Sequence, residues 1–201
     1  MNNIILIGAG GHANSCIEVL RSEKKFKIAG FVISNMNEII NKDYKILGFD
    51  KDLPIIKKKY NKALIAIGQI KDSSVREKIF LKLIKLEFIL PIIKSPFSII
   101  GKNTIIKKGT IIMHHCVLNS NSIIEENCII NTMALIEHNV KVEKNCHIST
   151  GAILNGGVEV KKNTFIGSGA IIKEGVKIGE NCIIGAGSVI KKNLPSNSKV
   201  L

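Results

Sequence analysis

Sixteen aliphatic residues recur at a spacing of six along the C-terminal half of the chain, and no other feature restricts the fold so tightly. The series runs Ile100, Ile106, Ile112, Leu118, Ile124, Ile130, Ile136, Val142, Ile148, Leu154, Val160, Ile166, Ile172, Ile178, Ile184 and Ile190, without a miss. The position four after each is nearly always small, as at Thr104, Thr110, Cys116, Ser122, Cys128, Ala134, Cys146, Ala152, Thr164, Ala170, Cys182 and Ser188. A fixed short period is the signature of a repeat architecture. A β-helix accounts for both columns: the aliphatic residue points inward and the small one packs beneath a tight corner. Three steps of six make one triangular coil of 18 residues. The series spans a little over five coils, a prism roughly 25 Å long at the spacing of paired strands.

Residues 18 apart stack on one another in such a prism. The sixth position of each step lies on an outer face and is mostly Ile, Val or Leu. An apolar outer face left open would be a sticky patch, so self-association is expected, and a triangular prism suits a trimer. One column breaks the pattern with Lys141, Glu159 and Lys177 and is expected to face solvent. Another reads Ile111, Ile129, His147, Phe165, Ile183. His147 is its one polar member, and a polar residue there needs a partner or a ligand. His138 falls in a turn, stacked with Ser120, Gly156 and Glu174. A turn histidine is ordinarily a solvated side chain. Here Gly156-Gly157 is expected to leave open space beside the ring for a substrate to approach.

The totals narrow the classes. The 201 residues allow two small domains, or a repeat domain with a cap. Aromatic residues make up only 4% and Trp is absent, so the core is aliphatic, as a narrow coil demands. The net charge of +13 admits nucleic acid, a membrane surface or anionic small molecules, or simply lysine in every solvent-facing turn. Without a set of stacking aromatics, single-strand nucleic-acid binding is disfavoured. Four of the five cysteines, Cys116, Cys128, Cys146 and Cys182, sit at the small corner position and read as small buried hydrophobes. There is no C-x-x-C, no signal peptide and no apolar run long enough to span a membrane. A cytoplasmic, reduced setting is expected.

The N-terminal part reads differently. An apolar run, Asn3 to Ile7, ends in Gly8-Ala9-Gly10-Gly11-His12 and leads into a helical pattern through Ile17, Val19 and Leu20. Strand, glycine turn and helix open a nucleotide-binding α/β unit, where the helix N-terminus favours an anion. A tight turn with no ligand would read the same way. A dinucleotide site would add a carboxylate at the end of the second strand. That strand, over 26–33, ends in Ser34-Asn35, so an NAD-dependent dehydrogenase is not expected. A short helix over 53–59, a strand over 63–67 closed by Gly68-Gln69, and a helix capped by Asp72 follow. Val75, Ile79, Leu83 and Leu86 share one face of that helix. Phe88 to Leu90 completes the series as a fourth strand. Ligands of such sheets sit at the carboxyl ends of the strands, which gathers Gly10, Gly11, His12, Ser34 and Gly68 around one crevice. The division is therefore residues 1–95, a Rossmann-like domain, and 96–201, the repeat domain.

These residues carry a resemblance. The repeat resembles the left-handed β-helix of hexapeptide acyltransferases. Its combination with Gly8-Ala9-Gly10-Gly11-His12, Asn131-Thr132, Ile136-Glu137-His138, His147-Ile148-Ser149 and Gly151-Ala152 resembles the NeuD/PglD-like sugar acetyltransferases. The resemblance implies a fold of α/β plus β: a small Rossmann-like domain that binds a nucleotide sugar, followed by a left-handed parallel β-helix that is the acetyltransferase. Left-handed winding comes from the resemblance alone, since the general crossover rule favours the opposite hand. It also implies acetyl-CoA as co-substrate, a nucleotide-sugar acceptor, no metal, and a homotrimer with active sites between subunits. Under it His138 is the base, a task suited to neutral imidazole. Asn131 lies near the acceptor, and His147, Ser168 and Ala186 meet acetyl-CoA. Gly10, Gly11 and His12 hold the nucleotide. The chain departs from the pattern at Asn139, where an acid often follows the histidine; Glu137 is the alternative group to orient the ring. It departs again after the second strand, and at Val200-Leu201, where the usual Gly-x-Pro tail is missing.

The expected reaction is N-acetylation of a nucleotide-linked 4-amino-4,6-dideoxy sugar for bacterial surface glycans such as lipopolysaccharide O-antigen. O-acetylation of a sialic acid is the nearest alternative. A β-helix carbonic anhydrase would need three converging histidines from His114, His115, His138 and His147. A non-catalytic nucleotide-sugar-binding scaffold is the remaining class.

Overall fold

The computed structural model describes residues 2–36, 43–70 and 72–201. The N-terminal unit holds β1 (Asn3–Ile7), α1 (Gly11–Glu23), β2 (Lys27–Ile33), β3 (Ile46–Phe49), α2 (Leu53–Lys57), β4 (Ala63–Ile65) and α3 (Ser74–Lys85). Its four strands are parallel in the order β3-β2-β1-β4. Alternate residues of β1 point to opposite faces. Ile4 and Leu6 pack with Cys16, Ile17 and Leu20 of α1. Ile5 and Ile7 pack with Leu53, Ile79 and Leu83 on the other side.

Three expectations change here. β3 was not anticipated, because Gly48 interrupts a run of four residues that are all only half-buried. The strand expected over Phe88 to Leu90 is one bridge, Lys62 to Ile89. Pro91 has no N–H and cannot extend that ladder. On α3, Val75 is 56% exposed and Arg76 is 1% exposed, so the arginine takes a place in the buried stripe.

From Ile93 onward the chain is a β-helix of two-residue strands. Three parallel sheets form its faces, and paired residues are 18 apart, as in Ile111–Ile129–His147. The inward aliphatic column is almost fully buried. Ile93–Lys94 already pairs with Ile111–Ile112, so the ladder starts at residue 93. The corners show a third column that the sequence reading passed over. Asn103, Asn121, Asn127, Asn139, Asn145, Asn163 and Asn181 all have φ between 55° and 62°. Gly109, Gly151, Gly157, Gly169, Gly175 and Gly187 take the same place in other steps. This left-handed region is open to glycine and, among the other residues, most readily to Asn and Asp. The architecture is a small α/β domain followed by a left-handed parallel β-helix.

The three outer faces have different fates. The face carrying Ile111, Ile129 and His147 is buried against the N-terminal domain, with both isoleucines at 0% exposure. One apolar face is therefore covered within the chain rather than by another subunit. The Lys141–Glu159–Lys177 column is polar and only partly covered, with Lys177 Nζ 2.9 Å from Glu159. The third face, Ile99, Val117, Leu135, Ile153, Ile171 and Val189, is apolar along its length and open, Ile99 and Val189 most of all. Among the described residues, no helix is long and apolar enough to cross a membrane.

Candidate active site

A crevice of about 330 Å³ opens at the carboxyl ends of the strands. Gly10, Gly11, His12, Ser34 and Gly68 line it together with Asp50 and the side chains of Ile7, Val75 and Ile79. Gly8 makes the turn that shapes it, at φ +95° and with Ile67 Cγ1 only 2.5 Å from where a Cβ would stand. Gly10 caps α1 with no side-chain hydrogen bond, and no acidic residue occupies the first turn. Free N–H groups and the positive end of the helix dipole thus face the crevice, an arrangement that suits a phosphate.

A second cavity of about 410 Å³ lies where the two domains meet. It shares His12 and Gly68 with the crevice and adds Gln69, Asn131, His147, Ser149, Phe165 and Ser168. His147 is fixed at both ring nitrogens. Its Nδ1 bonds the Gln69 carbonyl, which can only accept, so Nδ1 carries the proton. Its Nε2 is then the acceptor for the Asn131 amide at 3.2 Å. Phe165 meets the ring edge-on, with centroids 5.2 Å apart. Burial pushes the His147 pKa down to about 4, opposed by the Gln69 bond and aided by the nearby Arg76 guanidinium. Burial likewise takes His12 down to about 3. Both rings are neutral near pH 7 and can serve as hydrogen-bonding walls. Ser149 Oγ and Ser168 Oγ are 2.9 Å apart. Ala186 is exposed one coil above Ser168. Beside them Gly151, Gly169 and Gly187 have nothing within 4 Å of a Cβ position, which leaves a smooth, open edge along the prism.

Arg76 ties the seam together. Its Nη1 donates to the carbonyls of Ile65 (2.7 Å) and Ile67 (2.9 Å), and its Nε to that of Asn127 (3.3 Å) in the coil. Gln69 Nε2 donates to the Asn145 carbonyl at 2.6 Å, and Asn145 Nδ2 donates to Glu77 at 2.9 Å. The loop that floors both cavities is thereby fastened to the β-helix.

His138 stands elsewhere, on an open cleft of about 550 Å³ lined also by Glu137, Asn155, Gly156, Glu174 and Gly175. The cleft shares no lining residue with the two cavities of the seam. Asn139 Nδ2 lies 3.1 Å from His138 Nδ1. Glu137 turns back to accept from the His138 backbone N–H at 3.3 Å, a contact that leaves the ring to Asn139. A Cβ on Gly156 would stand 2.7 Å from both Cε1 and Nε2 of His138. Gly156 therefore makes room for the imidazole itself; the open space expected for a substrate lies at Gly157. Asn131 and His138, expected to act together, occupy different corners of one chain. His114 Nδ1 pairs with Ser95 Oγ at 2.7 Å. Among the described residues, no three metal-ligating side chains converge.

Two family models match the chain: the PglD N-terminal domain over residues 3–83, and the bacterial transferase hexapeptide (six repeats) over 157–192. PerB from Caulobacter crescentus, solved in complex with CoA and GDP-perosamine, superposes with a TM-score of 0.91 at 29% identity, covering 99% of this chain and 93% of that one. The matched segments and the shared fold make the chain similar to the NeuD/PglD-like sugar acetyltransferases. The acetyltransferase domain of PglB from Neisseria gonorrhoeae FA1090, in complex with acetyl coenzyme A, shares the fold at a TM-score of 0.90 and 24% identity, over 99% of this chain and 96% of that one. WeeI from Acinetobacter baumannii AYE does so at 0.84 and 24%, with the same coverage. No curated protein sequence is significantly similar.

Asp50, Gln69, Arg76 and Phe165, which line the cavities or tie the seam, were not among the site residues expected from the sequence. Arg76 was signalled by its spacing of three and seven from Ile79 and Leu83, which puts a charge inside an apolar stripe. Asp50 was hidden because its strand was not read.

Proposed function

We propose that this acetyl-CoA-dependent sugar acetyltransferase transfers its acetyl group to the 4-amino group of a nucleotide-linked 4-amino-4,6-dideoxy sugar. The observation that carries the proposal is the pair of cavities joined at His12 and Gly68. One has a phosphate-binding helix end; the other opens toward the smooth edge of Ser168 and Ala186, whose glycine-flanked surface fits a long, narrow thioester. Likeness to PerB, solved with CoA and GDP-perosamine, supports the same assignment.

In this reading the acceptor amine attacks the thioester carbonyl. His138 Nε2 takes a proton from the amine nitrogen as the C–N bond forms. The C–S bond then breaks, and the imidazolium returns that proton to the departing thiolate. For Nε2 to act as a base, Nδ1 must hold the ring's proton. Asn139 can meet this need by turning its amide so that Oδ1 accepts from Nδ1–H, an exchange of nearly isosteric ends. A neutral amide raises ring basicity less than a carboxylate would. An amine, already nucleophilic when neutral, needs less base assistance than a hydroxyl, so Asn139 favours amine over sialic acid hydroxyl.

The protein acts as a homotrimer in the cytoplasm, in the synthesis of surface glycans such as O-antigen. Two observations support assembly: the open apolar face from Ile99 to Val189, and the separation of His138 from the seam within one chain. A neighbouring copy would bring the two together. The test is a screen of nucleotide-linked amino sugars with acetyl-CoA, following release of free thiol. Turnover with one 4-amino sugar and not with sialic acid is expected; thiol release with sialic acids alone would refute the assignment.

A further inference from the structure

The carboxylate that a nucleotide site would carry after β2 is absent, and the crevice receives one from the next strand over. Asp50 follows β3 directly and lines the crevice. Two acids sit in this turn with different duties. Asp52 Oδ2 accepts from the Phe49 backbone N–H at 2.8 Å, which fixes the turn. Asp50 accepts from Lys82 Nζ through its backbone carbonyl, at 2.6 Å, and not through its side chain. Its Oδ1 is closed off from solvent and has no hydrogen-bond partner among the described residues. A carboxylate accepts only, and although Asp50 as a whole is half-buried, an oxygen shielded from water without a donor is costly. The crevice is therefore built for a ligand that brings N–H or O–H groups to this point.

Position says which part of the ligand that is. The strand order sets the ends of β1, β2 and β3 side by side. Phosphate belongs at the β1 end, where α1 presents its N-terminus, and a carboxylate there would repel it. Asp50 lies two strands away, roughly 10 Å at the usual strand spacing. That offset passes the ribose beside Ser34 and reaches the base. Ile7, Val75 and Ile79 supply apolar walls for a flat ring. Two carboxylate oxygens match two adjacent N–H donors. Guanine offers such a pair at N1 and N2. Uracil and thymine offer one imide N–H between two carbonyls, which a carboxylate repels.

We infer that Asp50 is the base-selecting residue of the crevice and that it favours a guanine nucleotide. The inference rests on the nucleotide-sugar reading above. Its test is the binding of GDP, UDP, dTDP and ADP to the full-length protein and to Asp50→Asn, with CoA binding as the control for folding. The wild type is expected to bind GDP most tightly, and Asp50→Asn to weaken GDP roughly 10–100-fold, the scale of a hydrogen bond to a charged group, while UDP changes little. Unchanged GDP binding by Asp50→Asn, equal weakening of every nucleotide, or a wild type that prefers another base would overturn the inference and leave the nucleotide-sugar reading standing. Failure of the wild type to bind any of the four would overturn that reading, and this inference with it.

Discussion

Replacing Gly156 with alanine adds one methyl group, and the structure says where it goes. The new Cβ would lie 2.7 Å from His138 Cε1 and Nε2, closer than carbon atoms pack. The backbone at Gly156 is not in the left-handed region, so alanine is tolerated there and the strain falls on the ring. The imidazole is exposed at this corner and can swing away at little cost in stability. A misplacement of order 1 Å in a reacting group costs about 10²-fold in rate, and loss of a general base about 10²–10⁴-fold. Gly156→Ala should therefore lower kcat about 10–10²-fold, leaving KM for both substrates within a few-fold and the melting temperature nearly unchanged. Gly157 is the matched control. It has open space around a Cβ but φ +69°. Gly157→Ala should cost about 1–2 kcal/mol in backbone strain, a fall of about 2–8 °C in Tm, with kcat largely retained. Steady-state kinetics and thermal melts of the two variants check this. Full kcat in Gly156→Ala would refute the placement of His138 as the reacting ring.

Acid should unfold the protein early. The pKa of His147 is lowered to about 4 and that of His12 to about 3, both by burial. Above pH 6.5 folded and unfolded states are alike neutral at these positions. Below it the unfolded chain binds protons that the folded one refuses, so stability falls by about 1.4 kcal/mol per pH unit for each ring until the folded pKa is reached. Urea midpoints should drop between pH 6.5 and 4, and the slope should halve in His147→Gln; a flat profile would contradict the buried neutral rings. Ile153→Lys puts a charge in the middle of the open apolar face and should convert the proposed trimer to monomers with kcat/KM lowered at least 10²-fold, read by light scattering and kinetics; an intact, active trimer would place the interface elsewhere.

The coil was legible because its physics is periodic: an inward aliphatic position tolerates nothing polar, and the corner beneath takes mostly small groups, with valine at Val140, Val158 and Val176. The left-handed corner position was equally periodic but is filled by Asn or Gly in all but two steps, His115 and Met133 being the exceptions, and the shared property of Asn and Gly is conformational rather than hydropathic. It bears on the site, because Asn139 occupies this position and meets two demands at once, the φ of the corner and a hydrogen bond to His138. The crevice residues from Gly10 to Gly68 followed from strand ends alone. What stayed hidden depended on contacts between domains. Nothing local says that Ile111 and Ile129 are covered by the N-terminal unit, or that Gln69 meets His147 across 78 residues of chain. Asp50 was missed for a third reason: an edge strand that is half-exposed and broken by glycine lacks the apolar run by which buried strands are read.

The central claim is that His138 carries the proton transfer for an acetyl group passed from acetyl-CoA to a nucleotide-linked amino sugar. The direct measurement is kcat for thiol release by the wild type and by His138→Ala, with the same amino sugar and saturating acetyl-CoA. The account predicts a fall of about 10²–10⁴-fold, or ~3–5 kcal/mol of barrier, with nucleotide binding intact. Equal turnover by the two proteins would contradict it.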